Sequence, residues 1–343
     1  MALRDGAGQK AHAADVRVGV TVLSGLLGSG KTTLLNRLVQ DPRYARSLVI
    51  INEFGEVGVD HALVRGVQDD VVLLAGGCIC CTVRGGLVDT LRDMFLRVVK
   101  REIKPFDHVL IETTGLADVA PVMFTLKHDF FVAERYVFRR CITVVDATHI
   151  LSQLTRMGVA ASQIALADDL VISKVENQDP AHLADVRDAI AAINPLAQIT
   201  TMTGELEWVR DLVRKDVAPE SGMRWPGMLL AGLAGGPHRG VTAFSVRHGG
   251  RWPRGRFTQV IDQCLQDHGD DILRIKGILS FLGGNDDAAR FALHAVHRVR
   301  YPLVELLSPV GGEHRCELVF IVSGRRASAL EQSIREALAA LVL

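Results

Sequence analysis

Residues 25–32 read GLLGSGKT and match the spacing G-x-x-x-x-G-K-[ST] of a phosphate-binding loop. The apolar run VGVTVLSG (18–25) before them predicts a buried strand, and KTTLLNRLVQ (31–40) after them predicts a helix. Backbone N–H groups of such a loop, with a helix N-terminus behind them, cradle phosphate groups. We expect Lys31 to reach the β- and γ-phosphates and Thr32 to coordinate Mg²⁺. The stretch therefore predicts an α/β domain with a nucleotide site at the end of its first strand.

The pattern of the remaining chain extends this prediction to the whole fold. Further apolar runs predict parallel strands at 47–52, 71–77, 108–115, 139–147, 169–175 and 198–203. Helical segments such as 86–102 lie between them, so we predict a P-loop NTPase sheet with helices on both faces, followed by a smaller C-terminal α+β domain. The predicted divisions are a disordered tail (1–16), a P-loop domain (17–215), a linker (216–240) and the C-terminal domain (241–343).

Composition limits the partners and the compartment. Lys+Arg and Asp+Glu both number 39, so net charge provides no general attraction to nucleic acid or to an acidic membrane. Residues 1–16 lack the apolar core of a secretory signal, and the longest apolar runs are too short to span a membrane. We therefore expect a cytoplasmic protein without nucleic-acid or membrane partners, in which thiols stay reduced.

Two segments that follow predicted strands offer carboxylates near the phosphate site. Glu112 ends the strand in HVLIETTG (108–115), where a Walker-B-type acid belongs. Gly115 follows at a position where a backbone N–H can sense a γ-phosphate. The segment NEFGEVGVD (52–60) carries three more acids, Glu53, Glu56 and Asp60. Each of these three is equally well explained as a solvated loop residue.

A base-binding motif is predicted at ISKVEN (172–177), after the sixth predicted strand. Guanine sites usually carry N-K-x-D there, because the acid accepts hydrogen bonds from guanine N1–H and the 2-amino group. Here Ser173 replaces the Asn and Glu176 replaces the Asp, with Lys174 between them. Glu176 can still accept both hydrogen bonds, whereas a serine cannot supply the full pattern of an amide. Guanine is therefore favoured, and adenine remains open.

Three of the six cysteines lie in GGCICCTV (76–83), at Cys78, Cys80 and Cys81. Thiolates bind Zn²⁺ or Cu⁺ well, and the adjacent glycines allow the backbone to bend until the sulfurs converge. Three ligands leave a fourth position for a carboxylate, a water or a partner, which suits a transferable ion. Buried small hydrophobes and a redox sensor remain alternatives for these thiols.

The other cysteines and two histidines are expected to be structural. Cys141, Cys264 and Cys316 lie in apolar strand or helix patterns and are expected in the core. His294 and His297 are three apart in a predicted strand, RFALHAVHRV (290–299), so they are expected on opposite faces.

The motifs GLLGSGKTTLLNRL, INEFGEVGVD, GGCICCTVRG and IETTGLADVAPV occur in this order, and with them the chain resembles the CobW-like P-loop GTPases of the SIMIBI class. That family is related to the accessory GTPases of urease and hydrogenase maturation. The resemblance continues through ILRIKGIL and LVFIV and covers nearly everything from residue 17 to 343. The positions that match the family's phosphate loop are Gly25, Gly28, Ser29, Gly30, Lys31, Thr32 and Thr33.

The resemblance implies a GTPase that uses GTP, GDP and Mg²⁺. The implied hydrolytic residues are Lys31, Glu112 and Gly115, with Thr32 and Glu112 on Mg²⁺ and Ser173, Lys174 and Glu176 at the base. It also implies a transition-metal site, most often for Zn²⁺ and otherwise for ions such as Co²⁺, formed by Cys78, Cys80, Cys81 and Glu56. Such proteins deliver metal to a client metalloprotein, or support metal insertion for cobalamin or nitrile hydratase. A nucleotide-dependent homodimer is implied as well.

A function of another class stays open, a metal-regulated adaptor in which the nucleotide is structural. Multiple-turnover hydrolysis separates the two, since an adaptor shows none. The sequence contains no obvious arginine finger, so we expect slow intrinsic hydrolysis that a partner stimulates. A small-molecule kinase is disfavoured because no segment resembles a lid with paired arginines.

Overall fold

The structure is a computed structural model and describes residues 17–44, 46–52, 72–76, 83–203, 240–282, 289–306, 316–324 and 326–342. The predicted tail (1–16) and residues 216–239 of the predicted linker lie outside this range. Six candidate site residues also lie outside it: Glu53, Glu56, Asp60, Cys78, Cys80 and Cys81.

The first part of the chain forms a seven-stranded parallel sheet in the order β3-β2-β4-β1-β5-β6-β7. The strands are β1 (Val18–Ser24), β2 (Ser47–Asn52), β3 (Val72–Gly76), β4 (His108–Glu112), β5 (Tyr136–Asp146), β6 (Asp169–Ser173) and β7 (Gln198–Thr201). Their apolar runs are long because a parallel sheet is covered on both faces. All seven predicted strands are confirmed, and the largest boundary differences are the earlier start of β5 and the earlier end of β4.

Helices cover both faces of this sheet, as predicted. They are α1 (Lys31–Gln40), α2 (Val83–Val99), α3 (Ala120–His128), α4 (Phe130–Arg135), α5 (Ile150–Arg156), α6 (Gly158–Leu166) and α7 (Pro180–Ile193). The alternation of strand residues assigns the faces: Val22 packs in the cluster that contains Leu91 of α2, whereas Leu23 packs with Leu34 and Leu38 of α1. A further cluster joins α6 and α7 to β6.

The second part of the chain is a mainly antiparallel sheet in the order β12-β11-β10-β14-β8. Its elements are β8 (Val241–His248), β9 (Trp252–Pro253), α8 (Arg254–His268), β10 (Ile272–Leu282), β11 (Arg290–Val296), β12 (Val299–Arg300), β13 (Val304–Leu306), β14 (Cys316–Ser323) and α9 (Ala327–Ala339). Apolar residues of α8 and α9 pack on one face of this sheet in a single core cluster. The predicted α+β character of this region is confirmed.

The two sheets are joined through α6 and α7. Val241 and Leu273 of the second sheet belong to the same buried cluster as Ile164 of α6 and Val186 of α7. The second sheet is therefore covered by its own helices on one face and contacts the helices of the first sheet with the other.

The placement predicted for the two histidines was wrong. The strand that contains His294 ends at Val296, and His297 lies in the turn before β12 with φ 47°. His294 is stacked on Tyr301 at 4.8 Å between ring centroids, and burial holds the pKa of its imidazole well below its usual range. β11 and β12 pair with each other, and both contribute apolar residues on either side of the turn. The periodicity of the sequence therefore does not reveal that β11 ends before His297.

Candidate nucleotide site

The loop after β1 has the backbone conformation that its glycines permit. Gly25, Gly28 and Gly30 have φ values of 135°, 73° and 96°, in the region that L-residues with a side chain rarely adopt. A Cβ atom on Gly25 would lie 2.7 Å from the Ser29 Oγ and closer still to the carbonyl oxygen of Val144. The loop is therefore held close to β5, and α1 begins directly after Gly30.

The residues that follow the loop face in different directions. Lys31 is buried, and its Nζ donates to the carbonyl oxygen of Leu26 at 3.1 Å, so the ammonium group lies inside the loop. The Thr32 hydroxyl donates to Glu112 Oε1 at 2.8 Å, whereas Thr33 is exposed. The glycine-rich loop thus places a cation and a hydroxyl–carboxylate pair next to each other.

Glu112 reaches Thr32 because β1 and β4 are neighbours in register. Leu23 is paired with Glu112, and the Thr113 backbone N–H donates to the Leu23 carbonyl at 2.9 Å. The Glu112 side chain is 5% exposed at the carboxyl edge of the sheet. A threonine hydroxyl and a carboxylate are hard oxygen ligands, and Mg²⁺ is usually held by one or two such groups together with phosphate oxygens. The donor set therefore fits Mg²⁺.

Gly115 packs directly against the phosphate loop. A Cβ atom at this position would lie 2.7 Å from the Leu27 Cα and nearer still to the Leu27 amide nitrogen. Any side chain here would push the phosphate loop away, so the close approach requires glycine. We call residues 113–119, between β4 and α3, the β4–α3 loop.

The predicted base motif has a second role that the sequence did not indicate. The Ser173 hydroxyl is buried and lies 2.6 Å from the carbonyl oxygen of Ser29, to which it donates. Lys174 has φ 57°, and its Nζ donates to Asp146 Oδ2 at 2.8 Å, while Glu176 is exposed. Ser173 thus supports the phosphate loop from β6, and Lys174 and Glu176 lie beyond the end of the same strand.

Two residues at this edge were missed by the sequence analysis. Asp146 ends β5 and accepts hydrogen bonds from the Thr148 amide at 2.9 Å and from Lys174. Its position after an apolar strand was a signal that could have found it. Gln163 in α6 is 2% exposed and donates to the carbonyl oxygens of Gly115 at 3.3 Å and Ala117 at 3.0 Å. No pattern distinguishes this glutamine from a surface residue of a short helix.

The described cysteines are structural, as expected. Cys141 and Cys316 are buried, and Cys264 packs partly buried against the second core. Burial raises the pKa of the Cys141 thiol to about 12 and that of Cys264 to about 11. Thiols with such pKa values keep their protons, so they are poor metal ligands and poor nucleophiles. Within the described ranges, no group of three or more His, Cys, Asp or Glu side chains is arranged to hold a metal ion.

The helices of the described residues include none that is both long and apolar enough to cross a bilayer.

Sequence comparisons match both parts of the chain to known families. A family model described as CobW/HypB/UreG, nucleotide-binding domain, matches residues 19–201, and the cobalamin synthesis protein cobW C-terminal domain matches residues 241–339. The zinc chaperone YjiA of Escherichia coli is 36% identical over 186 residues, which cover 54% of this chain and 58% of that protein. The zinc-regulated GTPase metalloprotein activator 1 of Schizosaccharomyces pombe is 32% identical over 207 residues, which cover 58% of this chain and 49% of that protein. The chain thus spans about half the length of these relatives.

Comparison with solved structures supports the same fold over nearly the whole chain. The crystal structure of Zn(II)-bound YjiA GTPase from E. coli has a TM-score of 0.67 at 24% identity, covering 95% of this chain and 99% of that one. A Zn(II)-bound triple mutant of YjiA GTPase has a TM-score of 0.72. Both parts of this chain therefore share the architecture of one known two-part structure.

Proposed function

The chain belongs to the CobW/HypB/UreG family of nucleotide-binding proteins, and on that premise we propose that it is a GTP-hydrolysing metal chaperone. In this proposal GTP is the substrate, a transition metal such as Zn²⁺ or Co²⁺ is the cargo, and a client metalloprotein receives it. The names of two relatives, a zinc chaperone and a zinc-regulated GTPase metalloprotein activator, support this assignment.

The observation that carries the proposal is the contact between the Thr32 hydroxyl and the Glu112 carboxylate beside Lys31. A phosphate loop alone occurs in many nucleotide-binding proteins. A strand-end acid bonded to the loop threonine is the arrangement that P-loop hydrolases use to hold Mg²⁺ on the nucleotide. The close packing of Gly115 on the same loop supports its proposed role at the γ-phosphate.

Hydrolysis is proposed to use these residues in distinct roles. Lys31 exchanges its bond with the Leu26 carbonyl for the β- and γ-phosphate oxygens, because a buried ammonium gains more from charged acceptors. Thr32 and Glu112 would hold Mg²⁺, which when bound neutralises charge on the phosphate oxygens. The Gly115 backbone N–H would donate to the γ-phosphate. Guanine is proposed to bind at Lys174 and Glu176, with Lys174 positioned by Asp146.

The cargo site is proposed at Cys78, Cys80 and Cys81, with Glu56 as a fourth ligand. All four lie outside the described residues, so their chemistry alone supports the assignment. Thiolates are soft ligands that prefer Zn²⁺, Cu⁺ or Co²⁺ to Mg²⁺. The described cysteines have raised pKa values and do not compete for the ion.

Nucleotide and metal binding are proposed to be coupled. β2 and β3 end at the same carboxyl edge of the sheet as β1, which the phosphate loop follows. In the sequence, the segment with Glu56 comes after β2 and the cysteine segment comes after β3. A γ-phosphate that orders these segments would change metal affinity, and its loss on hydrolysis would release the ion to the client.

The proposal is tested by measuring Zn²⁺ affinity in the GDP state and with a non-hydrolysable GTP analogue, by competition with a chromophoric chelator. We expect a difference of about tenfold, or about 1.4 kcal/mol of coupling. The Cys80→Ala/Cys81→Ala protein should lose both the tight site and the difference. Equal affinity in both nucleotide states, together with an absence of multiple-turnover GTP hydrolysis, would show a metal-regulated adaptor instead.

A further inference from the structure

Gln163 of α6 is hydrogen-bonded to the β4–α3 loop, which packs against the phosphate loop. Its amide Nε2 donates to two carbonyl oxygens of the β4–α3 loop, those of Gly115 and Ala117. The same loop is closed on itself, since the Ala117 N–H donates to the Thr114 carbonyl at 3.0 Å. The Gln163 amide is buried, and its two hydrogen bonds go to the same turn of the loop. These bonds therefore hold that turn in position.

The backbone of Gln163 is also held in place. Its carbonyl oxygen accepts a hydrogen bond from the Thr143 hydroxyl of β5 at 3.0 Å, and Thr143 is buried. One end of the residue is thus attached to the central sheet, and the other end to the loop that packs on Leu27. A shift of α6 would be transmitted to Gly115 because the Gln163 side chain that connects them is buried and hydrogen-bonded to the loop.

The C-terminal end of α6 is bound by the second sheet. Arg274 of β10 is completely buried, and its guanidinium donates to the carbonyl oxygens of Leu166 and Ala167. Leu166 is three residues after Gln163, one turn along the helix. The last carbonyl groups of a helix have no partner within the helix and carry partial negative charge, so a cation that donates to them stabilises the helix end.

Asp168 keeps the guanidinium in this position. Its carboxylate accepts hydrogen bonds from Arg274, from Lys276 at 2.8 Å and from the Cys141 backbone N–H at 2.9 Å. Arg274 and Lys276 therefore both neutralise Asp168, but of these two cations only Arg274 also has a hydrogen bond to α6 among the described residues. This difference provides a matched pair of substitutions.

The helix α3, which follows the β4–α3 loop, also contacts the C-terminal domain. Lys127, near the end of α3, donates to the Arg300 carbonyl oxygen and lies over the Tyr301 ring at 4.6 Å from its centroid. The loop that approaches the phosphate site is therefore followed by a helix that the second sheet also contacts.

We infer that the C-terminal domain sets the position of the β4–α3 loop through α6, with Gln163 as a positioning residue for Gly115. This inference rests on the proposed function, because Gly115 faces a γ-phosphate only if the site binds GTP. It extends that function by assigning the C-terminal domain a role in hydrolysis: a client or partner that moves β10 relative to α6 would change the γ-phosphate site.

The first test measures GTP hydrolysis by Gln163→Met, which keeps the length of the side chain and removes both donors. We expect kcat to fall by about tenfold, while GDP affinity stays within about twofold because GDP has no γ-phosphate for Gly115 to contact. A loss of thermal stability with an unchanged kcat would overturn the inference and leave Gln163 as a packing residue. Equal losses of kcat and GDP affinity would also overturn it.

The second test does not depend on activity and compares Arg274→Gln with Lys276→Gln by amide hydrogen exchange in the nucleotide-free full chain. We expect exchange at residues 114–119 to be about tenfold faster in Arg274→Gln and in Gln163→Met, and unchanged in Lys276→Gln. Equal acceleration in both cation variants, or in neither, would overturn the route through α6. If Arg274→Gln does not fold, Arg274→Lys replaces it, since a lysine can pair with Asp168 but cannot donate to two carbonyls in the same way.

The two tests separate this inference from the proposed function. If the wild-type protein hydrolyses no GTP, the proposed function fails, while the exchange experiment still decides whether the second sheet positions the loop. If hydrolysis is present and exchange is the same in all variants, only the inference fails.

Discussion

At the scale of single residues, Thr32 and Glu112 are 80 positions apart in sequence and joined by one hydrogen bond. Thr32→Val removes the hydroxyl and keeps the branched shape. We expect kcat for GTP to fall by about tenfold or more, because each tenfold corresponds to about 1.4 kcal/mol of lost stabilisation. The measurement is steady-state phosphate release over a range of Mg²⁺ concentrations.

Thr32→Ser is the matched control, since it restores a hydroxyl at the same atom. Serine should recover most of the activity and the ordinary Mg²⁺ dependence. If valine kept the activity and serine lost it, the methyl group rather than the hydroxyl would be the important part of Thr32.

Gly115 gives a second prediction at this scale. Gly115→Ala places a Cβ within 2.7 Å of the Leu27 Cα, so the phosphate loop must move. Overpacking of this kind typically costs about 1–3 kcal/mol. We expect lower stability in urea unfolding and weaker binding of a fluorescent GDP analogue.

The control for Gly115→Ala is Gly255→Ala in α8. Among the described residues, no atom outside the local helix lies within 4 Å of a Cβ at Gly255. Alanine there should not lower stability, because the new Cβ meets no neighbouring atom and glycine is not favoured in a helix. A destabilisation of the same size at both glycines would show that the contact with Leu27 is not the cause.

At the scale of elements, Asp169 begins β6 and pairs with Arg140 of β5 at 3.0 Å. Burial raises the pKa of Asp169 to about 6, although Arg140 opposes the shift. The negative charge of Asp168 raises the pKa of Asp169 further, whereas the positive charges of Lys276 and Arg274 lower it. An unfolded aspartate has a pKa of about 3.9, so the folded chain keeps a proton that the unfolded chain has lost between about pH 4 and pH 6. Stability from this residue is therefore complete below about pH 4 and decreases as the pH rises to about 6.

Asp169→Asn removes this titration while keeping the shape of the side chain. We expect the free energy of unfolding of the variant, relative to wild type, to rise from about pH 4 to about pH 6 and to stay level above that range. Urea unfolding at a series of pH values measures it. Asp188→Asn, the same substitution at an exposed position in α7, serves as the control for the change of side chain. A flat difference for Asp169→Asn would contradict the raised pKa.

The strands and the first helix were predictable because their signals are local. Buried parallel strands are apolar along their whole length, and the glycine-rich turn marks where α1 begins. The helix predicted at 86–102 lies at Val83–Val99. The spacing of apolar residues predicts that a helix is present but does not show at which residues it begins and ends. The end of β11 was not predictable, since the turn at His297 interrupts no apolar pattern.

At the scale of the whole molecule, the two domains are joined by a group of charges in which Arg274 is fully buried and Asp168 and Lys276 are partly buried. Burial alone would raise the pKa of Asp168, but Arg274 and Lys276 hold it well below its usual range. Asp168→Asn leaves both cations without their carboxylate. Breaking a buried pair in this way typically costs about 3 kcal/mol or more, so we expect a clear fall in the free energy of unfolding. Differential scanning calorimetry measures it and also shows whether the domains still unfold together.

Asp270→Asn is the control for this prediction. Asp270 pairs with Arg298 on the surface, where its side chain is 83% exposed, and a change there should have no measurable effect on unfolding. If the two variants behaved alike, the buried charges would not contribute to the association of the domains.

The sequence by itself determined the parallel sheet, the phosphate loop and the strand-end acid, because each depends on residues that are close together in the chain. It also placed Glu112 and Lys31 at the same edge of the sheet, since parallel strands all end there. Only the tertiary structure showed that Ser173 supports the phosphate loop, that Gln163 holds the β4–α3 loop, and that Arg274 reaches α6 from a strand 107 or more positions later. These contacts join segments that are far apart in sequence, and no local propensity or spacing encodes which buried polar side chain meets which carbonyl group.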